Sequence, residues 1–221
     1  MVLYHGSDKI IEQPKYRGGK PYNDYGYGFY CTEYFDLAGE WAVSEEHDGF
    51  INSYEFETNE LSVLNLNDHS VLSWLAVLLV NRTFATETAL ATEAKKYLIS
   101  EFLVDYENYD VIRGYRADDS YFSFAQDFVN NTISVEQLRK AMYLGQLGDQ
   151  IVIKSERAFS HLKYVDSEKV FRDQWLEKKK NRDMIARSSY FKMSREQYHP
   201  GETYVAKILD EEMKKDDSRL R

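Results

Sequence analysis

The chain has 221 residues, of which 43% are hydrophobic, and its formal net charge is −9. This composition excludes a disordered chain and predicts a globular protein, with one domain and an appendage or with two small domains. An acidic surface repels a polyphosphate backbone, so the charge disfavours a general nucleic-acid binder, although a local basic groove stays compatible with it.

The cysteine content and the apolar runs indicate the cellular setting. Cys31 is the single cysteine, so no intrachain disulfide can form and a reducing compartment is expected. The longest apolar stretch, residues 71–80, is too short to span a bilayer, and no window resembles a signal peptide. We therefore expect a cytoplasmic protein that has no membrane partner.

Strand-like and helix-like segments follow one another in an order that predicts an α+β fold. Short strands are expected at residues 1–4 and 27–32, on either side of a polar loop that is rich in turn formers. Asp36 is the expected N-cap of a first helix that continues to about residue 46. The later strands are expected at 50–56, 61–66, 109–114 and 150–155, and the later helices at 70–80, 87–102, 121–129, 134–143, 168–185 and 202–215.

The character of the chain changes near residue 165, where a charged helical pattern begins. This pattern has a narrow apolar seam made of Val170, Phe171, Trp175 and Leu176. We therefore predict a first domain over residues 1–165 and a helical C-terminal appendage over residues 166–221. The appendage is expected either to cover the first domain or to bind a partner protein.

Two short motifs near the start of the chain carry the chemistry. Residues 3–7 read Leu-Tyr-His-Gly-Ser, residues 26–30 read Gly-Tyr-Gly-Phe-Tyr, and Trp41 follows Tyr30 by eleven positions. This order resembles the NAD pocket of ADP-ribosyltransferases of the diphtheria-toxin and poly(ADP-ribose) polymerase type. The resemblance extends over about residues 1–165, and it implies two small packed antiparallel β-sheets with an NAD cleft between them, helical insertions and C-terminal helices.

The resemblance also implies a role for each matched residue. His5 is expected to bond the ribose beside nicotinamide, and the backbone N–H and C=O of Gly6 are expected to hold the carboxamide. Tyr30 and Trp41 are expected to pack on the two faces of the nicotinamide ring. The remaining residues expected to line the NAD site are Ser7 and Gly28.

The third member of the expected site stands at the start of a late strand. In the polymerases this residue is a Glu that bonds the ribose and stabilises the positive charge that develops there, and Gln150 falls at the matching place. A Gln can bond a hydroxyl group but carries no negative charge. Ala38 is a second departure, since it stands where polymerase-like relatives have a hydroxyl residue. A carboxylate is therefore missing from the site or is supplied from elsewhere in the chain.

Asp118 and Asp119 follow the strand expected at residues 109–114. Adjacent carboxylates in a loop usually form a solvated turn. The alternative is that Asp119 faces the ribose or accepts a proton from the incoming nucleophile. Arg113 and Arg116 lie nearby and are expected to meet the NAD diphosphate. The five histidines and the one cysteine show no metal-ligand spacing, so no metal is expected.

The function implied by this resemblance is NAD-dependent transfer of ADP-ribose to a macromolecular acceptor, either a protein or a nucleic acid. Small bacterial proteins that resemble this one are often toxins of toxin–antitoxin or phage-defence systems, so an antitoxin protein is an expected partner. One alternative is an NAD glycohydrolase, and another is a catalytically weak module that binds NAD or ADP-ribose, which Gln150 favours. A third is a partner-binding protein that works through Phe171 and Trp175.

Overall fold

Two β-sheets organise the part of the chain that the computed structural model describes, which is residues 1–117, 119–144, 148–195 and 201–220. The strands are numbered in chain order. The first sheet contains, in spatial order, β1 (Val2–Ser7), β3 (Gly49–Phe56) and β7 (Leu162–Val170). The second contains β2 (Phe29–Cys31), β6 (Asp149–Ile153), β5 (Val111–Tyr115) and β4 (Val63–Asn65). The fold is therefore a mixed α+β fold, as the sequence predicts.

The second sheet corrects the expectation that both sheets are antiparallel. Strands β4 and β5 run parallel, whereas all the other pairs in the two sheets are antiparallel. The physical reason lies in the connection between them. The chain passes from β4 through two helices, α2 (Val71–Asn81) and α3 (Ala89–Phe102), before it returns as β5, and a long helical crossover lets a strand return in the same direction.

The two sheets meet at one pair of residues and diverge from there. Tyr4 in β1 and Thr32 exchange two backbone hydrogen bonds of 2.8 and 2.9 Å. Nearer the start of β2, the carbonyl of Tyr30 bonds the imidazole Nδ1 of His5 at 2.7 Å instead of a backbone N–H of β1. The imidazole Nδ1 thus replaces a backbone donor of β1 at this position.

The helices form the largest core of the molecule. All the residues from 71 to 79 in α2 are buried, as expected for a helix that is apolar on every side. The remaining helices are α1 (Phe35–Ala42), α4 (Asp119–Val129), α5 (Val135–Ala141), α6 (Glu156–Phe159), α7 (Arg172–Ser194) and α8 (Val205–Asp210). Ser134 and Gln137 form a capping box at the start of α5, because each side chain bonds the backbone N–H of the other residue. Within the described ranges, no helix is both long and apolar enough to cross a membrane.

Strand β7 crosses the position at which the sequence predicts a domain boundary. It pairs with β3 from Leu162 to Val170, with a β-bulge at Val165, so position 165 falls within a strand of the first sheet. The helix expected from residue 168 begins at Arg172 instead, because the preceding residues continue to pair with β3. Helix α7 then packs against α1, α4 and α5, and the indole of Trp175 lies against Gly39, where a β-carbon would overlap it.

Candidate functional site

A cleft of about 930 Å³ opens where β1 and β2 diverge. Small-molecule sites usually measure about 300–1,000 Å³, so this cleft lies in the upper part of that range. Strands β1, β2 and β6, helices α1 and α7, and the segments that follow β1 and β5 all contribute to its walls. The sequence-predicted residues that line it are His5, Gly6, Gly28, Tyr30, Trp41 and Gln150.

Two of the predicted binding residues lie away from the cleft walls. The Ser7 hydroxyl donates to the Asp8 carboxylate at 3.2 Å in an exposed turn. Arg113 pairs with Glu33 at 3.0 Å and with Asp149 at 2.8 Å, and the hydrogen bond to Asp149 raises the pKa of the guanidinium. These two side chains are thus committed to local partners outside the lining of the cleft.

Asp118 and the side chain of Asp119 lie outside the described residues. Arg116, in the same segment, lines the cleft, and its guanidinium lies 4.2 Å from the centroid of the Trp41 ring. Of the two arginines expected to meet the NAD diphosphate, Arg116 therefore lines the cleft and Arg113 does not.

His5 has a defined tautomer. A carbonyl oxygen only accepts hydrogen bonds, so the bond from His5 Nδ1 to the Tyr30 carbonyl places the proton on Nδ1. Burial lowers the pKa of His5 below 6.5 despite this hydrogen bond, and the ring packs against Phe29 with 4.2 Å between centroids. At neutral pH the ring is uncharged, and its Nε2 is a hydrogen-bond acceptor.

Gly6 presents its backbone to the cleft. Successive residues of a strand direct their N–H and C=O groups to opposite edges. Tyr4 uses its pair of groups to bond Thr32 on the side of β2, so Gly6, two residues later, directs its own pair to the same side. The absence of a side chain has a separate reason, because a β-carbon at Gly6 would overlap the Ala38 carbonyl of α1. Gly6 thus offers one donor and one acceptor side by side.

Tyr30 contributes its ring rather than its hydroxyl group. That hydroxyl donates to the Gly26 carbonyl at 2.7 Å and accepts from the Tyr25 N–H at 3.0 Å. Gly26 has a φ of +73°, a backbone conformation that glycine adopts without strain. Burial raises the pKa of Tyr30 far above its usual value of 10.0, so the hydroxyl stays protonated. Nearby, the buried Nε1 of Trp41 has no hydrogen-bond partner within the described residues.

Asp24 is a site residue that the sequence analysis missed. Its side chain lines the cleft and is 5% exposed. One carboxylate oxygen accepts from Arg82 at 2.7 Å, and the other accepts from the Ala117 N–H and from Gln150 Nε2, each at 2.9 Å. A carboxylate therefore does lie beside Gln150. No local signal marks Asp24, because an Asp in a loop of turn formers is commonplace.

Helix α7 supplies the opposite wall of the cleft. Arg182 binds the buried carboxylate of Glu40 through three hydrogen bonds of 2.7 to 3.1 Å. Lys179 and Arg187 add further positive charge to this wall, and Asp183 adds a carboxylate. No group of three or more metal-binding side chains occurs among the described residues. The cleft thus combines an aromatic end, a polar wall and a basic wall.

Comparisons with known proteins place the chain in a family. Neither the curated proteins nor the solved structures include a match to it. A family model described as "Protein of unknown function (DUF3990)" matches residues 1–164. The matched region contains His5, Tyr30, Asp24 and Gln150, whereas α7 lies beyond it. Because the match covers well over half of the sequence, the chain belongs to the DUF3990 family.

Proposed function

We propose that this protein is an NAD-dependent ADP-ribosyltransferase. It breaks the bond between nicotinamide and ribose and transfers ADP-ribose to a protein or a nucleic acid. The observation that carries the proposal is the convergence of His5, Gly6, Tyr30, Trp41 and Gln150 on one cleft. Gln150 lies more than a hundred residues after the other four in the sequence, and each of the five has a role in the NAD pocket that the motifs resemble.

The aromatic end of the cleft suits nicotinamide. A carboxamide needs one acceptor and one donor side by side, and Gly6 offers the matching pair of backbone groups. The nicotinamide ring of NAD is a planar cation, which is attracted to the face of an indole. Arg116, another planar cation, already lies over Trp41, and this contact supports the idea that the indole accepts such a group.

The basic wall suits the diphosphate of NAD. The protein as a whole is acidic, with a net charge of −9, yet the described side chains that line the cleft include eight lysines or arginines and four aspartates or glutamates. A local concentration of positive charge in an acidic protein favours an anionic ligand at this place. Arginine is especially suited to phosphate, because its planar guanidinium can donate two parallel hydrogen bonds.

The proposed reaction is dissociative. The bond from ribose C1′ to the nicotinamide nitrogen breaks, and its electron pair stays on nicotinamide, which leaves as a neutral molecule. The cation that remains at the ribose is captured by an oxygen, nitrogen or sulfur atom of the acceptor, which then loses its proton. His5 Nε2 and the Gln150 amide oxygen are acceptors that can hold ribose hydroxyl groups. Tyr30 positions the ring, and its hydroxyl takes no part in proton transfer.

Nicotinamide release from NAD tests this proposal. The purified protein is assayed with and without bacterial lysate, beside His5→Ala. His161→Ala is a matched control, because His161 also bonds a backbone carbonyl, that of Glu57, but is only partly buried and lies outside the cleft. Release that requires lysate and is lost only in His5→Ala supports a transferase. Release without lysate indicates an NAD glycohydrolase. The absence of release from the folded protein contradicts the proposal that the protein is an enzyme.

One observation favours a second candidate, a module that binds NAD or ADP-ribose with little turnover. Gln150 stands where the polymerases have a charged Glu, so the side chain at this position offers no negative charge to a developing cation. Isothermal titration calorimetry with NAD, run beside the release assay, distinguishes the two. Binding without release favours the module, whereas binding together with release favours the enzyme.

The biological part of the proposal is a cytoplasmic toxin that an antitoxin protein restrains. It is supported by the resemblance to small bacterial toxins and by the free, buried Cys31, which suits a reducing compartment. Induced expression in a bacterium tests it. We expect growth arrest with the wild-type protein and normal growth with His5→Ala at equal protein level. Equal growth in both strains contradicts the toxin.

A further inference from the structure

The orientation of the Gln150 amide is fixed by its surroundings. Gln150 is 3% exposed, and its Nε2 donates to Asp24 at 2.9 Å and to the Tyr115 carbonyl at 3.1 Å. Both N–H groups of the amide are therefore used. The reversed orientation would place the amide oxygen against a carboxylate and a carbonyl, which only accept. The amide oxygen is thus turned away from Asp24, and Gln150 is one of the residues that line the cleft.

The two acceptors are themselves held in place. The Tyr115 carbonyl also accepts from the Tyr25 hydroxyl at 2.6 Å and from Trp74 Nε1 at 3.0 Å. Asp24 is held by the Arg82 guanidinium and by the N–H of Ala117. A rigid set of groups around a polar side chain gives that side chain a single orientation at little entropic cost.

This environment explains why position 150 carries Gln rather than Glu. A Glu side chain there would direct an ionised oxygen at the Asp24 carboxylate and at the Tyr115 carbonyl. Like charges at hydrogen-bond distance repel strongly in a buried site, and no donor would replace the lost N–H groups. Position 150 therefore requires a donor toward Asp24 and an acceptor toward the cleft, and among the common side chains an amide of this length meets both needs.

We propose that Asp24 is a positioning residue for the reaction proposed above, on which this inference rests. Asp24 holds the Gln150 amide so that its oxygen faces the ribose hydroxyl groups of NAD. The polar pair Asp24–Gln150 does the orienting work that a single Glu does in the polymerase-like pattern. Asp24 acts through Gln150 and does not need to contact the substrate.

An exchange of the two residue types tests the pairing. Gln150→Glu is expected to lower kcat about 10²-fold, the order of loss that follows from a small misplacement of a substrate-holding group, with a smaller effect on KM. The double variant Asp24→Asn/Gln150→Glu restores a donor between the two positions and is expected to recover part of that loss, while the Tyr115 carbonyl still lacks its donor from position 150. Asp24→Asn alone is expected to be impaired. Full activity of Gln150→Glu overturns the proposal.

A measurement that does not depend on activity separates this inference from the proposed function. In the NMR spectrum of the free protein, both side-chain N–H protons of Gln150 are expected to exchange slowly with water. In Asp24→Ala one of the two is expected to exchange at least about tenfold faster, since its acceptor is gone. Unchanged exchange overturns the positioning role. If the wild-type protein releases no nicotinamide, the proposed function fails while this measurement still decides the role of Asp24.

Asp110→Asn is the matched control for these variants. Asp110 is also a buried carboxylate bonded by an arginine, Arg157, and by Ser62 and Ser155, but it is outside the cleft. We expect it to lower stability while kcat and the Gln150 signals stay unchanged. Asp24→Leu keeps much of the side-chain volume, has no acceptor for Gln150, and serves where Asp24→Ala does not fold. If Asp110→Asn alters the Gln150 signals as Asp24→Ala does, a general loss of stability explains the effect and the proposal falls.

Discussion

The ion pair between Glu40 and Arg182 gives a prediction about how α7 is held on the rest of the protein. The Glu40 side chain is 4% exposed and that of Arg182 is 26% exposed, so the two partners differ in their access to water. Arg182→Met would leave a carboxylate buried without this cation. Glu40→Gln would leave a guanidinium that still reaches solvent. We therefore expect the two substitutions to have unequal costs.

The size of this difference follows from the burial of each charge. Breaking a buried pair by removing one partner costs about 3–5 kcal/mol, and we expect Arg182→Met to fall in this range, at about 3 kcal/mol. Glu40→Gln keeps an acceptor oxygen, so its cost should be about 1–2 kcal/mol. For a chain of this length 1 kcal/mol corresponds to about 2–4 °C in Tm. The Tm of Arg182→Met should therefore fall by about 6–12 °C.

Urea unfolding at pH 7, followed by circular dichroism, measures these costs. The double variant Glu40→Met/Arg182→Met is the control, because replacing both partners of a buried pair with apolar residues is close to neutral. It should be more stable than Arg182→Met alone. The reasoning is refuted if Glu40→Gln costs as much as Arg182→Met, or if the double variant is no more stable than the single one.

Four further predictions concern stability and reactivity. Gly6→Ala should lower stability by about 1–3 kcal/mol, since its β-carbon would overlap the Ala38 carbonyl; an unchanged thermal melt would contradict this packing. Burial alone would raise the pKa of Asp110, but hydrogen bonds from two serines and an arginine outweigh it and hold the pKa well below 3.8. The stability that the ionised Asp110 contributes is present above the unfolded pKa of about 3.9 and is lost as the pH falls through the folded pKa. In acid titration, the unfolding free energy of Asp110→Asn should therefore fall less steeply than that of the wild type. Burial lowers the pKa of His5 below 6.5, so the stability that its uncharged ring contributes is complete above pH 6.5 and is lost at lower pH. Between about pH 7 and 5, the unfolding free energy of His5→Gln should therefore fall less than that of the wild type. Cys31 is 0% exposed and burial raises its pKa, so a thiol reagent should label it only at the rate of unfolding; rapid labelling in native buffer would show an accessible thiol.

The elements predicted well from the sequence are those with local signals. The predicted strand at residues 50–56 corresponds to β3, and the helices expected at 70–80 and 87–102 correspond to α2 and α3. The capping box at Ser134 is local as well, since its two partners are three residues apart. Periodicity and capping act over a few residues, so they can be read without knowledge of the fold.

One local prediction is wrong: α1 begins at Phe35 after Tyr34, so Asp36 is in its first turn and is not the N-cap, and the helix ends at Ala42 rather than near residue 46. The other errors concern pairings between distant segments. Residues 168–170 have a charged, helix-like composition, but they pair with β3, which lies more than a hundred residues earlier. The direction of β4 relative to β5 depends on how the intervening helices return the chain. Contacts of this kind depend on the tertiary structure and override local propensity.

In the candidate site, too, local motifs could be read from the sequence, whereas contacts between distant segments could not. His5, Tyr30 and Gln150 carry motif signals, and all three line the cleft. Alternation along β6 correctly predicts that Asp149 faces away from Gln150. The register of β5 against β6 pairs Gly114 with Gln150, which leaves Arg113 on the side of Asp149. Neither that register nor the contacts that bring Asp24 to Gln150 can be predicted from the sequence.

Strand β7 also protects the first sheet from association with other chains. It is an edge strand, and it carries four charged side chains, Lys163, Asp166, Glu168 and Lys169, whereas the neighbouring β3 carries only Glu55. Charged edge strands discourage pairing between molecules, and exposed apolar ones promote aggregation. The family match ends at residue 164, so a fragment cut there would remove most of β7. Such a fragment would expose the backbone of β3 as a new edge and would be prone to form intermolecular β-sheets.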